Sequence, residues 1–435
     1  MKKHIYSFIL ITILLLVNMS GAYAQPLDIS SPNAVLMDYT TGKVIFDHNA
    51  HVPAYPASTT KVLTALLALE NLDLNEVLTV DYDIYVIGSS MYLMKGESFT
   101  VEELIQALMI RSANDAAELL AIRISGSVEE FTNLMNKRAK ELGALNSNFT
   151  NPHGLPDDNH ITTAYDLAMI TKQALKFDKF REIMSTVNLQ FEPTEQTPET
   201  RYFRNSNRFL WATGRSNQIL YNGRYVDIKY DIIDGVKTGY TPQARNCLIS
   251  SSLKDGHRLI AVVLGSGGGE VYSDSRKLID YGYDNFKLVN LIKGNNGYTD
   301  ISITNSKANT TTLYTASDLH AILPKDFNES LLTTRIETKK DIKAPINEGS
   351  VLGNLDFIYN SEVVGTVNLI NLDEVQSKSF IVKLLSLKSI FRILSTIFVL
   401  WQGLVIYLRL SKQKIRKFGT KRYGNSYKFS RNLFK

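Results

Sequence analysis

The sequence predicts an α/β (α+β) body, then a small all-β domain, then one C-terminal membrane helix. Three observations predict it. Between residues 30 and 280, β-prone runs joined by tight turns are mixed with helical apolar stripes. After about Tyr283 the helical period fades, and short β-prone runs stand among polar turns. Near the end, Ile393 to Leu408 is apolar or weakly polar without one charge. The boundaries this implies are a signal at 1–24, the mixed domain at 25–282, the β-rich domain at 283–378, and helix and tail at 379–435.

Lys2 and Lys3 open the chain, Ile5 to Val17 is an apolar core, and Ala22-Tyr23-Ala24 fits small-x-small cleavage before Gln25. This is a secretory signal, with an uncleaved anchor as its alternative. Ala34 to Asp38 and Lys43 to Asp47 are β-prone runs around Thr40-Thr41-Gly42, a hairpin. Pro56-Ala57-Ser58-Thr59-Thr60-Lys61 then precedes apolar residues at 62, 63, 66, 67 and 69, a helix start followed by a helical stripe. Ser58 and Lys61 are three apart, so one helical turn puts both side chains on one face. A serine hydroxyl needs a base, and a lysine amine serves if burial or a second cation keeps it neutral. The helix N-terminus adds backbone N–H groups that can hold an oxyanion. Taken alone the pair proves little, because Ser-x-x-Lys recurs at Ser251–Lys254 and Ser411–Lys414.

Thr100-Val101-Glu102-Glu103 is a capping-box pattern that opens a helix with apolar residues at 101, 104, 105, 108 and 109. That helix stops near Arg111, and another starts at Asn114. Ser112-Ala113-Asn114 is therefore a corner between helices, where Asn114 also suits an N-cap. Helices follow at about Val128 to Leu142 and at Ala164 to Ala174. Between them Asn151-Pro152-His153-Gly154-Leu155-Pro156 is loop chemistry. His153 and His160 have no third ligand at suitable spacing, so a metal is not expected. Phe191 to Thr200 is a polar surface excursion. Cys247 to Ser252 and Arg258 to Leu264 form a hairpin on Asp255-Gly256. Lys237-Thr238-Gly239 lies on the strand before it, with Lys237 and Gly239 on one face.

The formal net charge of +5 hides an asymmetry. Arg409 to Lys435 holds ten Lys/Arg and no acid. With those, Lys2 and Lys3 set aside, 36 of the 48 basic residues face all 43 acidic ones. An acidic middle argues against nucleic acid as a partner. Cys247 is the one cysteine, so no intrachain disulfide forms, and it reads as a buried core thiol. Arg392 and Arg409 flank the apolar run, and the basic tail fits a cytoplasmic end. A helix lying on the membrane surface is the rival.

Three motifs stand in order: Ser58-x-x-Lys61, Ser112-x-Asn114 and Lys237-Thr238-Gly239. Together they resemble the penicillin-recognising serine enzymes. With Tyr55 to Lys61, Ser112 to Ala117, Asn151 to Leu155 and Asp234 to Thr241, residues 30 to 280 resemble the low-molecular-mass penicillin-binding proteins. Among these they are most similar to the serine-type D-Ala-D-Ala carboxypeptidases of peptidase family S11. Ile342 to Ile346 and Gly349 to Gly353 resemble the family's C-terminal domain more loosely. The resemblance implies an antiparallel sheet packed with helices plus a helical subdomain. It implies that Ser58 attacks the penultimate D-alanine of a peptidoglycan stem peptide, Lys61 activates it and Ser112 relays a proton. Asn114 would hold the substrate amide and Lys61. Lys237 and Thr238 would bind the terminal carboxylate, and Gly239 would let the substrate backbone approach. The N–H groups of Ser58 and Tyr240 would make the oxyanion hole. No cofactor or metal is implied, and β-lactams would acylate Ser58. The domain would be exported and anchored in the membrane. Two departures stand out: Arg245 where members often carry glycine, and a spanning rather than amphipathic end. The rivals are a β-lactamase, whose Glu-x-x-Leu-Asn loop is not found here, a peptidoglycan endopeptidase, and a catalytically dead wall-binding protein.

Overall fold

A computed structural model of the chain describes residues 27–378 and 387–423. The signal reading of 1–24 and the tail end 424–435 lie outside the described residues. By packing, the chain divides into two units. One runs to Asn290 and takes in His320–Ser330; the other comprises Leu291–Leu319 and the chain from Leu331 on.

The first unit is built on five antiparallel strands. They are β1 (Asn33–Asp38), β2 (Val44–His48), β9 (Ile233–Thr241), β10 (Arg245–Lys254) and β11 (His257–Ser266), in the order β2-β1-β11-β10-β9. Both faces of the central strands are buried, which is why β1 and β11 read as nearly continuous apolar runs. Val35, Met37, Ile260, Val262 and Leu264 point to one core. Ala34, Leu36, Leu259, Ala261 and Val263 point to the other. Each fully buried Val, Leu, Ile or Met among them contributes about 1.5–3 kcal/mol. Asp255 and Gly256 both take positive φ, 51° and 78°, the mirror-image turn expected of Asp-Gly between β10 and β11.

On the first face lie α1 (Lys61–Asn71), α2 (Val101–Gln106), α3 (Asn114–Ser125), α4 (Val128–Glu141), α5 (Ala164–Ala174) and α6 (Asp178–Ser185); α7 (Glu270–Asn285) covers the second. The first eight residues of α1 are all buried, because α3, α4 and α5 surround it. The capping box at Thr100 forms as its sequence predicts: Glu103 N donates to Thr100 Oγ1 over 3.2 Å, and Thr100 N to Glu103 Oε2 over 2.7 Å. Three short ribbons complete the unit: β3 (Val77–Thr79) with β4 (Ser98–Thr100), β5 (Asn188–Phe191) with β6 (Arg201–Arg204), and β7 (Gln218–Tyr221) with β8 (Arg224–Asp227). A fourth pairs β12 (Phe286–Ile292) with β15 (Leu319–Pro324).

The second unit holds an antiparallel sheet in the order β13-β14-β18-β17-β16. These strands are β13 (Gly297–Ser302), β14 (Thr310–Thr315), β16 (Thr333–Thr338), β17 (Val351–Tyr359) and β18 (Glu362–Ile370). Leu313, Leu355, Phe357 and Leu369 form its core. The last helix, α8 (Leu387–Tyr423), is longer than the run Ile393 to Leu408: Lys388–Lys412 is apolar and long enough to cross a membrane. At 1.5 Å per residue those 25 residues extend about 37 Å, more than a ~30 Å hydrocarbon core requires.

Candidate active site

Pro56 leads into a single 3₁₀ turn, Ala57–Thr60, and α1 starts at Lys61. Ala57 sits in the left-handed region at φ 48°, a strain of about 1–2 kcal/mol for a residue with a Cβ. Hydroxyls pin the turn: Thr59 Oγ1 donates to Pro56 O over 2.6 Å, and Thr60 Oγ1 to Ala57 O over 2.9 Å. A Cβ on Gly239 would lie 2.9 Å from Ser58 N. Gly239 thus lets β9 pass against the serine itself, a closer constraint than room for a substrate backbone.

Lys61 Nζ lies 3.1 Å from Ser58 Oγ and donates to His153 O over 2.6 Å. The side chain is wholly buried. Burial, and next the charge of Lys237, hold its pKa well below the usual 10.5, with Asp115 opposing. The amine can therefore be neutral and take the serine proton.

The corner after α2 is a π turn, Ala107–Arg111, closed where Ala113 N donates to Ala107 O over 3.2 Å. It throws Ser112 into the left-handed region at φ 64°. Ser112 Oγ is buried and has no hydrogen-bond partner among the described residues. Asn114 corrects one expectation: the N-cap of α3 is Ala113, not Asn114. The Asn114 amide nitrogen donates to Ile87 O over 2.6 Å, which ties the 81–96 loop to the start of α3. Asp115 secures the same loop, accepting from Ser90 Oγ at 2.6 Å and Leu93 N at 2.9 Å.

Lys237 is buried on β9, its Nζ 3.2 Å from Thr238 O, and burial lowers its pKa to about 7. Thr238 faces the other way, its Oγ1 2.7 Å from Ser206 Oγ. Tyr240 stands exposed at the rim. β9 is the sheet's edge strand, so alternate backbone groups point away from β10. Ser58, Ser112, Thr238, Gly239 and Tyr240 line one cleft of about 660 Å³, with Lys61 and Lys237 buried beside it.

Sequence reasoning misses two cations in this lining, Arg111 and Arg208. Arg208 Nη2 donates to Asn217 Oδ1 over 2.8 Å, and no carboxylate pairs with Arg208 among the described residues. Arg111 directly precedes the Ser112 motif, a signal the sequence carried, whereas Arg208 adjoins none of the three motifs and only the folded chain brings it here. Arg245 is exposed at φ 55°, outside the cleft lining. Cys247 is buried, its thiol pushed up to about 12, as suits a core residue. His153 and His160 are buried beside the nucleophile turn.

A family model described as D-alanyl-D-alanine carboxypeptidase matches residues 20–268, and one for the penicillin-binding protein 5 C-terminal domain matches residues 286–377. The chain is 32% identical to D-alanyl-D-alanine carboxypeptidase DacF of Bacillus subtilis, over 87% of this chain and 96% of that one. It is 29% identical to DacC of Escherichia coli, over 82% and 89% respectively. Among solved structures, penicillin binding protein 5 from Haemophilus influenzae aligns with a TM-score of 0.68 at 27% identity, covering 81% of this chain and 100% of that one.

Proposed function

Because the chain belongs to the D-alanyl-D-alanine carboxypeptidase family, the serine hydrolases of family S11, we propose that its cleft releases the terminal D-alanine of peptidoglycan stem peptides through an acyl-enzyme on Ser58. The protein is a D-alanyl-D-alanine carboxypeptidase and a penicillin-binding protein. The residue roles are our reading of the cleft. Neutral Lys61 takes the Ser58 proton as Oγ adds to the penultimate D-alanine carbonyl. Backbone N–H groups of Ser58 and Tyr240 hold the oxyanion. Ser112, whose hydroxyl has no hydrogen-bond partner among the described residues, passes a proton to the leaving amine. Thr238 and Lys237, with Arg208, receive the terminal carboxylate. Asn114 holds the 81–96 loop at the cleft edge. Water then hydrolyses the ester.

The observation that carries this reading is the 3.1 Å approach of a buried lysine amine, depressed in pKa, to a cleft-lining serine hydroxyl. We also infer that the signal exports the catalytic unit and that α8 anchors it, with the basic tail cytoplasmic. Intact mass after benzylpenicillin, with peptide mapping of the adduct, tests the assignment. One long-lived acyl group on Ser58 is expected, with label and D-alanine release both lost in Ser58→Ala. Continued release by that variant would remove Ser58 as nucleophile, and rapid loss of the adduct would mark a β-lactamase.

A further inference from the structure

His160 does not line the cleft, yet it is buried within one hydroxyl of the nucleophile turn. Thr150 N donates to its Nδ1 over 3.0 Å, so that nitrogen carries the lone pair. The ring proton therefore sits on Nε2, which lies 2.8 Å from Thr60 Oγ1. With that hydrogen bond accepted, Thr60 Oγ1 turns its own hydrogen to Ala57 O, 2.9 Å away. Ala57 is the left-handed residue immediately before Ser58. Every donor in this chain has one acceptor, and the direction is set from the histidine end. Burial lowers the His160 pKa to about 4, which keeps the ring neutral and the direction fixed.

Left-handed alanine is unfavourable by itself, so something must hold it. Ala57 O receives the Thr60 hydroxyl on a face closed by Gly154, where a Cβ would stand 1.8 Å from that oxygen. The Ala57 carbonyl is thus fixed between a hydroxyl and a glycine, and the Ser58 backbone follows from it.

We propose that His160 is a positioning residue for the nucleophile: through Thr60 it holds the Ala57 carbonyl, and so keeps Ser58 Oγ within reach of Lys61. The proposal rests on the acyl-enzyme reading above, and it assigns His160 no contact with substrate.

The test is pre-steady-state acylation of the full-length protein by benzylpenicillin, separating the acylation rate constant from the non-covalent dissociation constant. Thr60→Val and His160→Ala are each expected to slow acylation about 10- to 100-fold, as small misplacements of a reacting group do. The dissociation constant should move far less. Because both act through one carbonyl, the double variant should acylate no more slowly than the slower single one. His160→Gln, whose amide can reach Thr60, should recover part of the loss. A purely structural role would instead lower the melting temperature and leave the acylation rate of the folded fraction unchanged. Wild-type acylation by folded Thr60→Val, or multiplied losses in the double variant, would overturn the proposal. Thr60→Val decides alone if His160→Ala does not fold. Absence of any Ser58 adduct in the wild type would instead defeat the acyl-enzyme reading.

Discussion

Lys61 Nζ stands 3.1 Å from Ser58 Oγ, and no carboxylate forms an ion pair with that amine among the described residues. The base is prepared by burial without an ion-pair partner among the described residues. Its pKa in the fold lies well below the 10.5 of an exposed lysine, so the unfolded chain binds this proton more tightly. Stability from this site is therefore lowest at low pH and rises with pH from the lowered pKa toward 10.5. Lys61→Met should stabilise the protein by about 1–2 kcal/mol at mildly acid pH, with the gain shrinking as pH rises. The same change should cut acylation by at least about 10²-fold. Melting curves against pH and penicillin labelling check both; a variant less stable than wild type at acid pH contradicts the account.

Lys237 gives the opposite limb. Burial lowers its pKa to about 7, and it is the protonated form that attracts a carboxylate. That attraction is present below this value and fades as pH rises through it. A bound carboxylate stabilises the cation and moves the limb upward. kcat/KM should therefore fall above about pH 7 while kcat holds to higher pH. Lys237→Gln should lower kcat/KM and abolish that alkaline limb. An unchanged limb in the variant would assign it to another group.

Arg208 keeps its charge where Lys237 loses it. Thr238 and Ser206 share a 2.7 Å hydroxyl contact in the same cleft, so an anion placed there meets two hydroxyls and a guanidinium that has no acidic partner among the described residues. Arg208→Gln should raise KM about 10- to 100-fold with little change in kcat, the loss of one charge-assisted hydrogen bond or two. It should also narrow the preference for a free-acid over an amidated peptide. Equal preference in wild type and variant would exclude Arg208 from carboxylate recognition.

Much of this was legible before folding. Helix α5 has the bounds read from the sequence, and Asp255-Gly256 makes the turn its chemistry demands. The hairpin of β7 and β8 on Asn222-Gly223 went unread, its strands being only four residues long. The π turn before Ser112 was not legible, since an extra residue in a helical turn leaves the apolar spacing almost unaltered. The contact of Asn114 escaped for another reason: Ile87 O is a backbone atom 27 residues away. Arg208 joins the cleft through tertiary packing alone.

Gly154 closes the nucleophile turn from the loop side. Its φ of 85° is unfavourable for any residue with a Cβ, and that Cβ would fall 1.8 Å from Ala57 O and 2.9 Å from Thr60 Oγ1. Neither neighbour can retreat without moving Ser58. Gly154→Ala should destabilise the protein by about 2–4 kcal/mol, strain and overpacking together. Acylation by benzylpenicillin should fall even in the folded fraction. A variant with wild-type melting temperature and labelling would show that the turn has slack.

The anchoring helix can be tested by the symmetry of its damage. A spanning helix meets hydrocarbon on every face, whereas a helix lying on the surface buries one face and wets the other. Ile397 and Val399 are two residues apart, about 200° around the helix, so they lie on opposite faces. Both are exposed in α8. An arginine at the centre of a span costs about 2.5–3.5 kcal/mol whichever way it points. Ile397→Arg and Val399→Arg should therefore weaken retention in carbonate-washed membranes by similar amounts. Loss from only one of the two would mean that α8 lies along the membrane surface, and the cytoplasmic placement of the tail would go with it.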